Sequence, residues 1–467
     1  MPDQKLFAGH AVRRLRRAAA LTQGAMAARL AISPSYLNLV ERNQRPLTAT
    51  LLLRLAEIFD FDPRQLAASD PGGGVEALRR RLTDPAFADL AIDRARLDDW
   101  LAAAPEGAEA FARAYDRGGL AVAPDVDPIA PVRREIERWR NHFADLDVAA
   151  EGLADDLRIG SGDLYGAIAE RLRVTHQLSI RILPVDVMPG ALRRLDLHAR
   201  QLQLSELLDP ASRCFAAAFQ LAQLEAKRDI EALVTGAAFS ARASERLYSR
   251  HLTSYFAAGL MMPYGRFVRA CETTGYDVEL LQRRFGAGFE QVAHRLTTLS
   301  RVGQRGLPFF MLRIDRAGQA SKLYAGASTS PLVEGETRCP LWDLHGAFDR
   351  PGTLLRQLVE LEDPGSETGA GATRWFTLAR TVSPQGQRVG QVRARFAIGL
   401  GLDARLAAPL AAARGFDLTG GEATPIGLGC RACTRPDCPQ RATPPAARSL
   451  IFDERERGVS PFAFARD

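Results

Sequence analysis

The 467-residue sequence predicts a multidomain α+β protein. Three observations carry that expectation. Residues 1–69 read as short amphipathic helices throughout. Residues 150–300 mix helix-length apolar periodicity with short strand patterns. From 301 onward, strand patterns separated by polar turns take over. The expected domains are an all-helical module (1–69), a helical linker or oligomerisation region (70–149), a helix-and-strand core (150–300) and a strand-rich, cysteine-bearing domain (301–467). Hydrophobic residues make up 46% and charged residues 25%, near the globular average, which excludes a collagen-like or wholly disordered chain. No window approaches ~18 uninterrupted apolar residues. The N-terminal MPDQKLFAGHAVRRLRR has no apolar signal-peptide core. A soluble, cytoplasmic protein with no membrane partner is expected.

The net charge is +6, yet only Lys5, Lys227 and Lys322 among the 61 basic residues are lysines. Such an arginine skew, with heavy Ala and Gly usage, reflects codon bias as much as a partner, so local placement must argue for nucleic acid.

In the first module GHAVRRLRRAAA is a basic amphipathic helix, and Thr22 is placed to cap the next, QGAMAARLA. Pro34 opens PSYLNLVERNQ in a tolerated first-turn position. Arg45-Pro46 ends it, and TATLLLRLAEIFDF supplies a fourth helix. Two short helices joined by a tight turn inside a small bundle make a helix-turn-helix plan. The run LTQGAMAARLAISPSYLNLVERNQRPLTATLLLRLAEIF resembles the Cro/repressor-like family. That resemblance implies a double-stranded DNA operator, with the second motif helix in the major groove. Ser33, Ser35, Tyr36 and Asn38 then face base edges or phosphates, Gln23 matches the family's phosphate-gripping position, and Asn43 and Arg45 flank the backbone. Leu37, Val40, Leu52 and Leu55 read as core.

The stretch DPGGGVE (70–76) reads as a hinge, and residues 77–145 as an Arg/Asp/Ala-rich helical connector interrupted by Pro124, Pro128 and Pro131. In the core, IRILPV (180–185) and the alternating LDLHARQLQL (195–204) read as strands; 210–227, 240–260, 263–273 and 277–300 read as helices. The layout over 160–263 resembles the ImmA/IrrE-like metallopeptidase fold. Active members of that fold carry HExxH after an F-x-L-A run, two histidines holding zinc and a glutamate activating water. Here Phe219-Gln220-Leu221-Ala222 is followed by Gln223 and Leu224, with Lys227 at the second histidine position. The later acidic ligand falls near Leu252. The zinc ligands are gone, so peptidase chemistry is not expected and an emptied cleft remains.

After 301, FFMLRID-RAGQ-ASKLYA and RWFTLARTV-SPQGQ-RVGQVRARFAIGL each resemble a hairpin. The order of helix-turn-helix, degenerate peptidase-like domain and cysteine-bearing C-terminal domain resembles the short-chain fatty acyl transcriptional regulators, a family that includes propionate and acetate regulators. SYFAAGLMMPYGRF, YDVELLQRRFGAGFEQVAHRLTTL and PFFMLRIDRAGQASK are the most specific portions. The resemblance implies a non-enzymatic, homo-oligomeric transcription factor that senses coenzyme A or a short-chain acyl-CoA. A CoA pocket needs cations for phosphates and an aromatic or guanidinium plane for adenine. Arg246, Tyr248, Arg250, Tyr255, Arg266 and Arg269 follow one another along the chain, with Tyr165 and Lys322 as additions.

IGLGCRACTRPDCPQRATPP contains Cys-x2-Cys-x4-Cys: Cys430, Cys433 and Cys438. Three thiolates want a fourth ligand, Cys339 first and His345 second. Zinc and iron–sulfur both accept four thiolates. The family resemblance favours a [4Fe-4S] cluster on Cys339, Cys430, Cys433 and Cys438, with zinc as the alternative. Cys214 and Cys271 sit in apolar helices and read as buried and inert. Two rival functions remain open on the residues: a metallopeptidase that cleaves a repressor, and a phage-type repressor or antitoxin with no small-molecule ligand.

Overall fold

The computed structural model describes residues 9–19, 21–41, 45, 47–59, 74–82, 87, 90, 92–116, 127–157, 162–334, 338–361, 372–383, 394–420, 422–446, 448–453, 455–456 and 458–464. They fall into two compact units, Met1–Asp127 and Pro128–Asp467.

In the first unit, α1 (Gly9–Ala18), α2 (Gln23–Arg29), α3 (Pro34–Glu41) and α4 (Ala49–Phe59) enclose Val12, Met26, Leu30, Leu37, Val40, Leu51 and Leu55. The Thr22 cap is where the sequence places it, and Ser33 adds a second. The Thr22 hydroxyl accepts from the Ala25 amide at 3.2 Å, and the Ser33 hydroxyl from Tyr36 at 3.1 Å. Arg54 donates to the Leu30 carbonyl at 2.8 Å, satisfying a helix-end acceptor in the turn between α2 and α3. A second small core, Leu78, Leu97, Ala108 and Ala112, joins α5 (Gly74–Leu82), α6 (Arg94–Ala103) and α7 (Pro105–Asp116).

The second unit opens with α8 (Ile129–Arg138), α9 (Ala144–Asp156) and α10 (Leu164–His176). A three-stranded sheet follows, ordered β1-β3-β2, from β1 (Ser179–Leu183), β2 (Arg193–Asp196) and β3 (Gln201–Ser205); β1 is parallel to β3 and β2 antiparallel. Then come α11 (Pro210–Glu225), α12 (Lys227–Gly236), α13 (Arg242–Met261), α14 (Tyr264–Thr274), α15 (Val278–Phe285) and α16 (Phe289–Leu296). The remaining elements are β4 (Phe310–Ile314), β5 (Ala320–Tyr324), α17 (Asp343–Gly346), β6 (Leu355–Leu361), β7 (Thr373–Val382), β8 (Phe396–Asp403), β9 (Thr424–Ile426), β10 (Leu450–Ile451) and β11 (Ala463–Phe464). The large sheet runs β5-β4-β8-β7-β6-β9, antiparallel except for β6 with β9. A Cβ on Gly401 would lie 2.7 Å from the Phe310 ring, so β8 needs glycine where β4 crosses it.

Two expected boundaries shift. The 70–149 connector is divided: α5–α7 belong to the first unit, and α8 and α9 pack into the second. The break at 300 is not a core boundary either. Met311, Phe376, Leu378, Ile398 and Leu400 on one face of the large sheet share a single core with helices α9–α16, while Phe310, Leu312, Trp342 and Trp375 form a second core on the other. Alternation along the strands supplies both faces. The 277–300 helix is two, because Gly286 ends α15 in the left-handed region at φ 59°.

The helical layer is fixed by one buried ion pair. Asp147 on α9 meets Arg295 on α16 at 2.8 Å, with 0% and 1% of their side chains exposed. Tyr255 on α13 donates to Asp147 at 2.7 Å, and Arg295 donates to the Met262 carbonyl at 3.1 Å and to Thr298 at 3.1 Å. Burial opposes the charge on Asp147, but Arg295, His142 and Tyr255 outweigh it and hold the carboxyl below its ordinary value. Removing one partner strands the other charge. Asp147→Ala is expected to lower the urea-unfolding free energy of the second unit's transition by about 3–5 kcal/mol. Val148→Ala, on the exposed face of the same helix, should leave it nearly unchanged.

Candidate functional site

On the helix-turn-helix module, Arg16 and Gln23 converge on Glu41, which is 3% exposed. The Arg16 guanidinium meets its carboxylate at 2.6 Å and the Gln23 amide donates to it at 2.8 Å. Gln23 also donates to Asn38 at 3.4 Å. Burial opposes the Glu41 charge; the hydrogen bonds from Arg16 and Gln23 prevail and hold the carboxyl below its ordinary value. The shared carboxylate locks α1, α2 and α3 together. Of the expected DNA-facing residues, Ser33, Ser35 and Arg45 are exposed, Tyr36 is half-buried against the core, and Gln23 and Asn38 are tied to each other. The Ser33 hydroxyl is committed to capping α3. Asn43 lies outside the described residues.

The second unit contains a cavity of about 950 Å³ between α8, α13, α16 and the β4–β5 hairpin. His251 and His294 line it. The His251 Nε2–H donates to the Asn141 side-chain oxygen (3.2 Å), and the Asn141 amide in turn reaches His294 Nε2 (3.3 Å). Asn141 sits in the left-handed region at φ 51°, tolerable for asparagine. Burial, with Lys322 beside it, pushes His251 down to about 3; burial, His251 and Lys322 push His294 well below its ordinary value. Both imidazoles are therefore neutral at physiological pH. At the rim, Lys322 and Arg313 share Glu290 at 2.7 and 3.0 Å, and Arg380 meets Glu279 at 3.5 Å. A second cavity of about 1140 Å³ shares Phe215, Arg250 and Ser254 with the first, and Arg193, Gln223 and Arg246 line it.

Of the residues expected to hold CoA, Lys322 lines the first cavity, Arg246 the second and Arg250 both. The others line neither. Tyr248 is fully buried between Phe143 and Phe239. Tyr255 is spent on Asp147. Arg266 pairs with Asp155 at 2.8 Å, Arg269 is an exposed residue of α14, and Tyr165 packs against the core. Helical spacing explains the split: residues two apart on α13 point to nearly opposite sides, so Arg246 and Arg250 share a face that Tyr248 does not.

The peptidase-like positions are dispersed. Gln223 is on the last turn of α11, Leu224 is 39% exposed, and Lys227 begins α12, pairing with Glu231 at 3.7 Å. Leu252 is fully buried. The chain breaks at Ala226, so positions 223 and 227 are not one turn apart on one helix.

Cys430, Cys433 and Cys438 lie on the loop between β9 and β10, around Arg441, which is 4% exposed. Arg441 donates to the carbonyls of Cys430 (3.0 Å) and Cys433 (3.2 Å) and approaches the Cys433 sulfur at 3.9 Å. The Ala442 amide points at the Cys430 sulfur at 3.5 Å. A Cβ on Gly427 would lie 2.7 Å from the Cys433 sulfur. Burial raises the Cys339 thiol, against amide donors from Gly427 and Leu341, and Cys433 and Cys438 are near enough to act on it through their charge. Amide and guanidinium donors aimed at sulfur suit a thiolate-held group. Among the described residues no three His, Cys, Asp or Glu side chains close into a metal-holding group. The Cys339, Cys430 and Cys433 sulfurs each meet a backbone or arginine donor. His345, the second choice for fourth ligand, faces Gly318 in the β4–β5 turn. Cys214 and Cys271 are buried and their thiols raised, Cys214 to about 12.

Three family models match in series: a helix-turn-helix domain over residues 8–68, an IrrE N-terminal-like domain over 174–297, and the C-terminal domain of short-chain fatty acyl coenzyme A regulators over 298–462. The HTH-type transcriptional regulator RamB of Mycobacterium tuberculosis is 36% identical, with 98% of each chain covered. The chain belongs to the short-chain fatty acyl coenzyme A regulator family. A propionyl-CoA carboxylase regulator of Cereibacter sphaeroides is 35% identical, covering 98% of this chain and 99% of that one. The HTH-type transcriptional regulator PrpR of Mycobacterium tuberculosis is 32% identical, covering 98% and 96%. A solved Mycobacterium tuberculosis transcriptional regulator superposes with a TM-score of 0.67 at 34% identity, covering 72% of this chain and 99% of that one. No helix among the described residues is long and apolar enough to cross a membrane.

Sequence reading missed His251, His294 and Asn141 in this family member, although a histidine in each of two apolar helices, in a chain with seven histidines, was a visible signal. Their neutrality has a pH consequence. The unfolded imidazoles titrate near ~6.5, whereas folded His251 titrates near 3. The folded pKa is depressed for a group that is charged when protonated. Stability is thus full above pH ~6.5 and falls as the unfolded state takes up protons below it. His251→Asn is expected to flatten the decline in unfolding free energy between pH 7 and pH 5, followed by urea titration.

Proposed function

We propose that this protein is a sequence-specific transcriptional regulator that binds coenzyme A or a short-chain acyl-CoA in its second unit and holds a [4Fe-4S] cluster on Cys339, Cys430, Cys433 and Cys438. The observation that carries the effector reading is the 950 Å³ cavity with two neutral imidazoles and a rim of cations, in a domain whose zinc-ligand positions are Gln223 and Lys227. Neutral imidazoles can donate to or accept from a thioester or pantetheine group without demanding a countercharge. The similarity to the Cereibacter sphaeroides propionyl-CoA carboxylase regulator supports the same chemistry.

The exposed Ser35 and Arg45, with Ser33, Tyr36, Asn38 and Gln23, form the DNA-reading surface, and Asn43 is assigned to it from the sequence. Cro-type modules read half-sites about one helical turn apart, so the working form is a homo-oligomer, a dimer or tetramer. The effector must favour one state over the other; a shift of about 5- to 150-fold in DNA affinity is about 1–3 kcal/mol of coupling. A bound cluster would supply redox or iron sensitivity, while the chain's part is to aim the Ala442, Gly427 and Leu341 amides and Arg441 at the sulfurs.

Calorimetry of anaerobically purified protein should give heat with at least one of acetyl-, propionyl-, crotonyl- and free CoA. Silence with all four, at full iron content, refutes the effector. About four irons per chain and a brown colour are expected; one zinc in a colourless protein replaces the cluster with the alternative metal. Arg45→Ala should weaken binding to any duplex and flatten the slope of log K against log salt by ~0.9 for each phosphate that is no longer neutralised.

A further inference from the structure

The two adjoining cavities differ in how their cations are neutralised. At the rim of the first, Lys322 and Arg313 share Glu290 and Arg380 has Glu279, leaving only Arg133 and the shared Arg250 of its described cations without an ion pair. In the second, Arg193, Arg246 and Arg250 face the same space, and among the described residues none of them forms an ion pair. Of the carboxylates that line it, Glu231 is engaged by Lys227, and Glu245 pairs with none of the three arginines. Arg246 and Arg250 lie one turn apart on α13, a like-charge spacing that destabilises a helix unless something answers it. Arg193 comes from the opposite wall, on β2, and its guanidinium sits 4.4 Å from the Phe219 ring centre. Its Nη1 donates to the side-chain oxygens of Gln220 (3.2 Å) and Gln223 (3.4 Å). These neutral acceptors orient the group without cancelling its charge. Burial works against the Arg193 cation and Arg250 repels it, so the positive potential here is both oriented and unmet.

We propose that this second cavity is the receptor for phosphate groups, with the guanidiniums of Arg193, Arg246 and Arg250 as its anion holders. Planar guanidinium forks match phosphate oxygens with paired hydrogen bonds, which point-charge lysines do not. The shared wall at Phe215, Arg250 and Ser254 lets one molecule place an anionic head in the second cavity and an uncharged tail beside His251 and His294 in the first. Taking the phosphates to be those of CoA rests on the effector reading above. A free polyphosphate is the other source of the same chemistry.

The test is calorimetry of the full chain with CoA, with S-propionyl pantetheine (the same tail without phosphates) and with inorganic pyrophosphate. Charge-assisted hydrogen bonds are worth about 1.5–3 kcal/mol. Arg193→Gln is thus expected to weaken CoA binding about 10-fold or more and to leave the weaker pantetheine binding unchanged. Arg246→Gln changes an exposed side chain that folding does not need, and should show the same selective loss. Wild-type CoA affinity in both variants overturns the phosphate site while leaving the effector reading intact. Arginine-dependent binding of pyrophosphate by a protein that ignores CoA and its esters supports the anion site and rejects CoA as its source. Binding of none of the three probes by the wild-type protein rejects both.

Discussion

The ion pair between Asp147 and Arg295 is the constraint on which the second unit depends. It lies where α9, α13 and α16 meet, with Tyr255 donating to Asp147, and Thr298 and the Met262 carbonyl accepting from Arg295. A charge pair so deeply buried contributes less net stability than its Coulomb energy suggests, because both ions have left water. What it enforces is geometry. A carboxylate with one partner tolerates little sliding of α9 against α16, and α16 carries His294 while the α8–α9 junction carries Asn141. The hydrogen-bonded chain His251–Asn141–His294 is thereby held at the cavity wall.

The same unit gathers basic side chains around its second cavity. At the position where the metallopeptidase pattern asks for a first zinc-binding histidine stands Gln223, whose side chain accepts a hydrogen bond from Arg193. A permanent organic cation thus points into a space bounded by two further arginines. Glu225, next to the position where that pattern asks for a glutamate, is consumed by Arg171 and His176, both at 2.8 Å. This acid group goes to structure, while Arg193, Arg246 and Arg250 are left facing the second cavity.

In the DNA-reading module the polar residues likewise divide between holding and reading. Glu41 collects Arg16 and Gln23, so the angle between the helices of the motif is set from within. Ser35 and Arg45 remain exposed on the surface. A rigid motif loses little freedom on docking, which leaves more of each interaction for affinity.

Much of this was written in the linear order of residues. The helix cap at Thr22, the period-2 runs at 310–324 and 373–403, and the missing histidines at 223 and 227 are local features, so local reading finds them. Family membership was legible for the same reason, since motif order survives without coordinates. The residues around the cavities were not. Arg193 lies 30 positions from Gln223, and Asn141 lies 110 from His251 and 153 from His294. Tyr248 and Arg250 are near neighbours in sequence, yet one is sealed in the core and the other opens onto both cavities. Sequence pattern decides which residues a helix can bury; only packing decides what each remaining face meets, because that depends on segments far along the chain.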